Sequence, residues 1–319
     1  MMDTLNGTTR LIDLRFLGRA GIIGTGVLQS GAGLLLVDPG PSTCFERLQG
    51  ELRSAGVAFE DLHGLLLTHI HLDHAGVSGT LLREYPQVVV YVHERGAPHM
   101  ADPAKLVSSA RRLYGAEMER LWGEIAPVPR DRIRALAGGE ALAFGGRRLR
   151  VSHTPGHASH HVSYFDESTG IAFTGDTAGI RIDTLDYVLP PTPPPDIDLE
   201  AWQASLRTIR GWRPAGLFVT HFGLKADVDR HLDLVAGEID AWGSMSRDVL
   251  LDGRSEQEQE GRFVAALRRR VAEQVGETAA ATYTAAIPFE HCWMGLARYW
   301  TKRGDSGGGH AARRAEHRP

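Results

Sequence analysis

The chain has 319 residues, 42% hydrophobic and 23% charged, and its 35 Lys and Arg against 39 Asp and Glu leave a formal net charge of −4. Such a balance fills a sizeable core and excludes the strongly basic surface that marks a nucleic-acid partner. Two distant cysteines, Cys44 and Cys292, exclude a disulfide framework, and neither an apolar leader in residues 1–10 nor a membrane-length apolar run is present. The expected setting is the reducing cytoplasm, with no membrane and no nucleic acid as partner.

Segments Leu11–Leu17, Gly21–Gln29 and Leu34–Val37 are short, apolar and punctuated by Gly, the pattern of strands joined by tight turns. Asp38-Pro39-Gly40-Pro41 stops the third, and Ser42 is an N-cap candidate for a helix with Phe45, Leu48 and Leu52 on its apolar face. Leu65–Leu67 predicts a buried strand that delivers the chain into Thr68-His69. A helix over Val77–Glu84, a strand over Val88–Val92 and a helical stretch over Pro103–Trp122 are expected next. Short strands return between Ile133 and Phe173. The proline-rich Leu189–Pro195 continues neither helix nor inner strand. Asp198 caps a helix through Ile209, and Ala215–Val219 is a buried strand that ends close to His221. Beyond it, Ala226–Leu251, Glu256–Val275 and Pro288–Thr301 have helical patterning. The expected organisation is a main domain over 1–225, a helical region over 226–303 and a disordered tail over 304–319.

The chemistry concentrates in Thr68-His69-Ile70-His71-Leu72-Asp73-His74-Ala75-Gly76, where three imidazoles and one carboxylate fall within six positions at a strand exit. In extended chain His69 and His71 project to one side and reach one cation; Asp73 and His74 fall where the chain turns into a helix. A merely polar, histidine-rich loop is the competing reading. It fails because four ionisable groups beside a packed core need compensation. Three further segments set a polar group after an apolar strand: Val151 to His157, Ile171 to Asp176 and Leu217 to His221. Each alone is an ordinary strand terminus; together they supply ligands for two adjacent sites. Imidazole with carboxylate suits zinc, and also iron or manganese.

With these motifs the chain resembles the metallo-β-lactamase superfamily, in its glyoxalase II-like hydrolase branch, over about residues 11–224. The resemblance implies an α/β fold, a four-layer αβ/βα sandwich with the metals at one edge between two sheets, here as the catalytic domain over 1–225, with a C-terminal helical extension over 226–303 packing over the active-site cleft. Carried over residue by residue, it implies that His69, His71 and His157 bind a first divalent metal ion. Asp73, His74 and His221 would bind a second, with Asp176 bridging the two. True β-lactamases lack a carboxylate at the position of Asp176 and are exported. The basic arm of the tRNA-processing nucleases and the inserted domain of the β-CASP nucleases are absent from the sequence. Acyl-homoserine-lactone hydrolases share Asp-His-Ala-Gly at 73–76 but place a catalytic tyrosine just after the bridging aspartate. Here Thr177, Ala178 and Gly179 stand there, which weakens the lactonase reading.

The implied activity is a dinuclear metal-dependent hydrolase acting on a small-molecule substrate. A metal-bridging hydroxide would attack a thioester or ester carbonyl, and Asp73, the catalytic candidate, would orient it and relay its proton. A thioester releases a stable thiolate, so no dedicated general acid is required. The rival from another reaction class is a persulfide dioxygenase-like oxidoreductase, with a single iron held by His71 or His69, His157 and Asp176. A third reading is a metal-binding sensor without turnover. His153, His160 and His161 are read as hydrogen-bonding support or strand surface, and His93 and His99 as surface or lid residues. Phe289, His291, Trp293, Tyr299, Tyr114 and Trp122 have the spacing both of a pocket wall and of helix core. No glutathione-binding set of Arg and Lys is recognisable, and oligomeric state is not legible.

Overall fold

A computed structural model of the chain describes residues 2–182 and 185–311. Strands β1 (Met2–Asn6), β2 (Thr9–Asp13), β3 (Gly24–Ser30), β4 (Gly33–Val37), β5 (Leu62–Leu66), β6 (Val89–His93) and β7 (Ile133–Leu136) form one sheet in that order. Strands β8 (Ala141–Phe144), β9 (Arg147–His153), β10 (Val162–Asp166), β11 (Ile171–Phe173), β12 (Gly216–Val219) and β13 (Gly223–Lys225) form the second, running in order from β13 to β8. Neighbours β4 through β7 are parallel, as are β11 and β12; the remaining neighbours are antiparallel.

The period-two alternation of strands explains why the key segments are apolar without interruption. Leu35, Val37, Leu66, Phe173 and Phe218 face inward into the core between the sheets. Their neighbours Leu34, Leu36, Leu65 and Leu67 face outward into a core shared with Phe45, Leu48, Leu52 and Leu81. Those residues belong to α1 (Phe45–Ser54) and α3 (Ser78–Glu84), with the short α2 (Leu72–Ala75) between them. On the far side, Ala172, Leu217 and Val219 face a third core built with α7 (Leu199–Gly211), α8 (Val228–Leu250), α9 (Glu256–Val275), α10 (Glu277–Ala286) and α11 (Phe289–Ala311). Each of these Leu, Val and Phe side chains, fully buried, contributes about 1.5–3 kcal/mol. The result is the expected helix–sheet–sheet–helix sandwich, with the C-terminal helices sharing the core of the second sheet. Among the described residues no helix is long and apolar enough to cross a membrane. Both cysteines are buried free thiols.

Local details depart from the sequence pattern where turns intervene. The strand expected over Leu11–Leu17 stops at Asp13, whose carboxylate accepts the backbone N–H groups of Arg15 and Gly21, both at 2.9 Å, and folds the loop between them. The helical stretch over Pro103–Trp122 is broken into α5 (Ala104–Tyr114) and α6 (Met118–Trp122), because Gly115 turns the chain with φ 53°. Helix α4 (Ala97–Ala101) precedes them. Ser42 caps nothing: its hydroxyl donates to the carbonyls of Glu124, at 2.6 Å, and Gly76, at 3.1 Å, and α1 starts only at Phe45. Asp198 does cap α7, accepting from the Ala201 N–H at 3.0 Å. Helix α11 continues to Ala311, so 304–311 have helical backbone, while 312–319 lie outside the described residues.

Candidate metal centre

Each expected ligand follows the C-terminal end of a strand. His69 and His71 lie between β5 and α2, Asp73 and His74 on α2, His157 after β9, Asp176 after β11 and His221 after β12. Two sheets therefore deliver the set to one edge of the sandwich. Gly175 makes the delivery of Asp176 feasible: it has φ 46°, and a Cβ there would lie 2.4 Å from Thr68 Oγ1 and 2.7 Å from His161 Nε2.

All seven side chains converge. Ligand atoms of His69, His71 and His157 lie within 4.8 Å of one another; so do those of His69, His74 and Asp176, and those of Asp73, His74 and His221. His157 Nε2 is 2.9 Å from His71 Nδ1, and His221 Nε2 is 3.3 Å from His74 Nε2. Asp176 stands between the two groups. Its Oδ2 is 3.5 Å from His157 Nε2, while its Oδ1 is 3.3 Å from His74 Nε2 and 3.5 Å from His221 Nε2. Asp73 Oδ2 lies 3.4 Å from His221 Nε2 and 3.7 Å from His74 Nε2.

The outer ring nitrogens define the tautomers. His157 Nδ1 donates to the Pro191 carbonyl at 2.8 Å, His221 Nδ1 to the Ile22 carbonyl at 2.6 Å, and His74 Nδ1 to Asp38 Oδ2 at 2.8 Å. Carbonyls and carboxylates only accept, so each of these rings donates from Nδ1 and turns its Nε2 toward the centre. His69 Nε2 and Asp176 Oδ1 are buried and make no hydrogen bond. Uncompensated buried ionisable groups cost several kcal/mol each. Divalent cations between the two groups would satisfy these atoms together. The donor set fits them.

Electrostatics divides the cluster along the same line. Burial holds His69 and His71 well below the ordinary imidazole range, with neighbouring imidazoles adding to it, and burial likewise lowers His157. Burial opposes charge on His74 and His221 too, but the Asp176 and Asp73 carboxylates outweigh it and raise both. In the same way Asp73 and Asp176 are held below the usual carboxylate range, against burial, chiefly by His74.

Sequence reasoning missed the residue that ties the site together. Asp38 is fully buried; its Oδ1 accepts the Thr68 N–H at 2.8 Å, and its Oδ2 accepts Thr68 Oγ1 at 2.8 Å, Thr220 Oγ1 at 2.7 Å and His74 Nδ1. One carboxylate thus joins the ends of β4, β5 and β12. The signal was an aspartate at the end of an apolar strand, the form that singled out Asp176.

Of the flanking histidines, His161 and His153 are held in hydrogen bonds, while the buried His160 Nδ1 makes none. His161 stacks on His69 at 5.0 Å and its Nδ1 lies 3.0 and 3.1 Å from the hydroxyls of Thr154 and Thr177. His153 bonds the Ser159 carbonyl at 2.9 Å and stacks on His93 at 4.3 Å. His93, expected at the surface, is only 2% exposed, because its ring closes that stack and its Nδ1 accepts the Arg95 N–H. Of the aromatic candidates, Phe289, Trp293 and Tyr299 are core. Phe16, Trp122, Tyr114 and His291 instead form a chain of ring contacts, with centroid separations of 5.5, 5.1 and 5.4 Å, and the first three share an apolar cluster with Leu72 beside the ligands. Burial pushes the Tyr114 phenol well above its ordinary range, and the nearby Asp73, Cys292 and Asp176 push it further.

A fold built this way, with candidate ligands after the ends of strands from two sheets, is an αβ/βα sandwich with a candidate metal centre at one edge. A model of the metallo-beta-lactamase superfamily matches residues 19–221, and the chain belongs to that superfamily. A metallo-beta-lactamase fold-containing protein of Sulfurisphaera tokodaii is 32% identical over 168 residues, 52% of this chain and 62% of that protein. A hydroxyacylglutathione hydrolase of Synechococcus sp. is 30% identical over 142 residues, 44% of this chain and 42% of its own length. An atrochrysone carboxyl ACP thioesterase of Aspergillus fumigatus is 28% identical over 231 residues, 71% of this chain and 58% of that enzyme. The chain thus spans less than two thirds of each of these relatives. A metallo-beta-lactamase family protein from Thermus thermophilus shares the fold over nearly the whole chain, with TM-score 0.68, 22% identity and coverage of 94% and 95%.

Proposed function

We propose that the protein is a dinuclear metal-dependent hydrolase that cleaves a thioester or ester bond of a small molecule. His69, His71 and His157 hold one divalent cation, zinc in the first instance, and Asp73, His74 and His221 the other. The observation that carries this reading is the split of Asp176, one oxygen toward His157 and the other toward His74 and His221. Such a cation pair supplies ionised water at neutral pH and polarises a carbonyl oxygen. The names of the hydroxyacylglutathione hydrolase and thioesterase relatives support hydrolysis, and the second of them a thioester.

This chain's own residues do the rest. Asp73 is the most accessible carboxylate of the cluster, its side chain 26% exposed against 5% for Asp176, so it faces the cleft where a substrate enters. As a carboxylate at the edge of that site, it would orient the attacking water and accept its proton on a carboxylate oxygen. Phe16, Trp122, Tyr114 and His291 wall the cleft and exclude water from an apolar acyl group. Helix α11 contributes His291 to that wall, which gives the C-terminal helices a part in substrate selection.

The test is elemental analysis of the purified chain beside turnover of a thioester, ester, lactone and persulfide panel, with oxygen uptake recorded. Two cations per chain and thiol release from thioesters are expected. In His71→Ala the first cation and all turnover are lost. A single iron with oxygen consumption, or normal loading and turnover in His71→Ala, overturns the reading.

A further inference from the structure

Helix α11 grips the loop that orients one of the candidate ligands. Residues 190–195 contain five prolines, leaving Thr192 with the sole backbone N–H in that stretch. Such a segment cannot be held by a helix or a sheet ladder, so its position is set from outside. The Pro191 carbonyl within it accepts the His157 Nδ1–H at 2.8 Å. That bond fixes which nitrogen His157 turns to the centre and how the ring lies.

What holds the loop is one face of α11. Gly295 lies so close that a Cβ there would sit 2.0 Å from the Thr192 carbonyl oxygen and 2.9 Å from the Pro193 carbonyl carbon. Three residues to either side, the Cys292 carbonyl accepts the Thr192 hydroxyl at 3.3 Å, and Arg298 Nε donates to the Pro195 carbonyl at 3.3 Å. Cys292, Gly295 and Arg298 follow the three-residue spacing that places side chains along one stripe of a helix. The helix is anchored in turn by Phe289, Trp293 and Leu296, all within the core of the second sheet. Thr192 itself is fully buried.

We propose that Gly295 is a positioning residue for the metal centre: its contact with Thr192 sets the Pro191 carbonyl that holds His157, so α11 completes the first cation site. The proposal rests on the cation reading above. It makes α11, some 140 residues downstream of His157 in the chain, a mechanical part of the site as well as an outer layer. Any side chain at 295 must move either the helix or the loop, and a moved loop takes the carbonyl away from Nδ1.

The test compares zinc loading of the full chain with Gly295→Ala, using Gly261→Ala on α9 as a control where nothing lies within 4 Å. Loss of a partner of this kind lowers metal affinity by about 10- to 100-fold. Gly295→Ala is expected to lose that much at one zinc equivalent and to keep the other, with the His157 Nδ1–H proton resonance weakened or lost. Gly261→Ala is expected to match the parent. If Gly295→Ala does not fold, the unaltered chain decides: reciprocity of linkage requires zinc to raise the hydrogen-exchange protection of α11 amides. Equal zinc affinity in Gly295→Ala, or α11 protection indifferent to zinc, overturns the proposal and leaves the cation reading intact. A parent chain that takes up no zinc overturns both.

Discussion

Replacing Asp38 by Asn keeps shape and volume while removing one acceptor and one charge. Oδ2 takes three donors, Thr68 Oγ1, Thr220 Oγ1 and His74 Nδ1, so the amide oxygen must occupy that place. The amide NH2 then faces the Thr68 N–H, donor against donor, in a fully buried position. One orphaned buried donor costs about 1–3 kcal/mol. The three remaining bonds pass from charge-assisted to neutral, losing about half their strength, or about 0.5–1 kcal/mol each. The sum, about 2.5–6 kcal/mol, is a large share of a stability of about 5–15 kcal/mol. Urea unfolding of the metal-free chain should register that loss, and the thermal midpoint should fall by roughly 4–9 °C. Because Asp38 fixes His74, zinc competition should also find the second site weakened by about 10- to 100-fold. A variant within 1 kcal/mol of the parent, with both zinc affinities intact, would refute Asp38 as the tie between β4, β5 and the ligands.

Three further outcomes are expected. Asp176→Ala should lose the second cation before the first, read by metal analysis during stepwise chelation; a fully loaded pair would rule out the bridging role. Tyr114→Phe should change KM or kcat toward apolar thioesters by about 10-fold while leaving metal content alone, about 1.4 kcal/mol of binding or transition-state free energy; unchanged kinetics would remove the phenol from the cleft wall. His231 is held at about 4 against an ordinary 6.5 by burial, with its Nε2 2.7 Å from the Ala178 carbonyl. Since the folded-state value is depressed, its stabilisation is complete above pH 6.5 and declines as pH falls toward 4, the unfolded chain taking up the proton first. Between pH 7 and 5 that amounts to about 2 kcal/mol. His231→Gln should therefore show a shallower loss of urea midpoint over that interval, and parallel losses in both chains would count against it.

Strand identity and the candidate ligand residues were legible because both are marked locally. Uninterrupted apolar runs such as Leu34–Val37 and Leu217–Val219 mark strands covered on two faces, and an ionisable residue straight after such a run marks a strand end brought to an edge. His69, Asp176 and His221 stand within three residues of such a run, His71, Asp73 and His74 follow His69 in one motif, His157 follows a Pro-Gly turn, and the structure gathers all seven. The break after Tyr114 and the short strand ending at Asp13 were not legible, since a positive φ at Gly115 and an aspartate closing a loop leave periodicity nearly unchanged.

What only the tertiary structure decided is which groups meet across long separations. Asp38 finds Thr220 182 positions away, and the Pro191 carbonyl finds His157 34 positions back. The grip of Gly295 on Thr192 and the ring contact of Tyr114 with His291 are of the same kind. Hydrophobic pattern states which face of each element is covered, but not by what. Partner choice follows from packing two sheets and their helices together at once, and a backbone carbonyl such as that of Pro191 has no side-chain signature for a sequence to display.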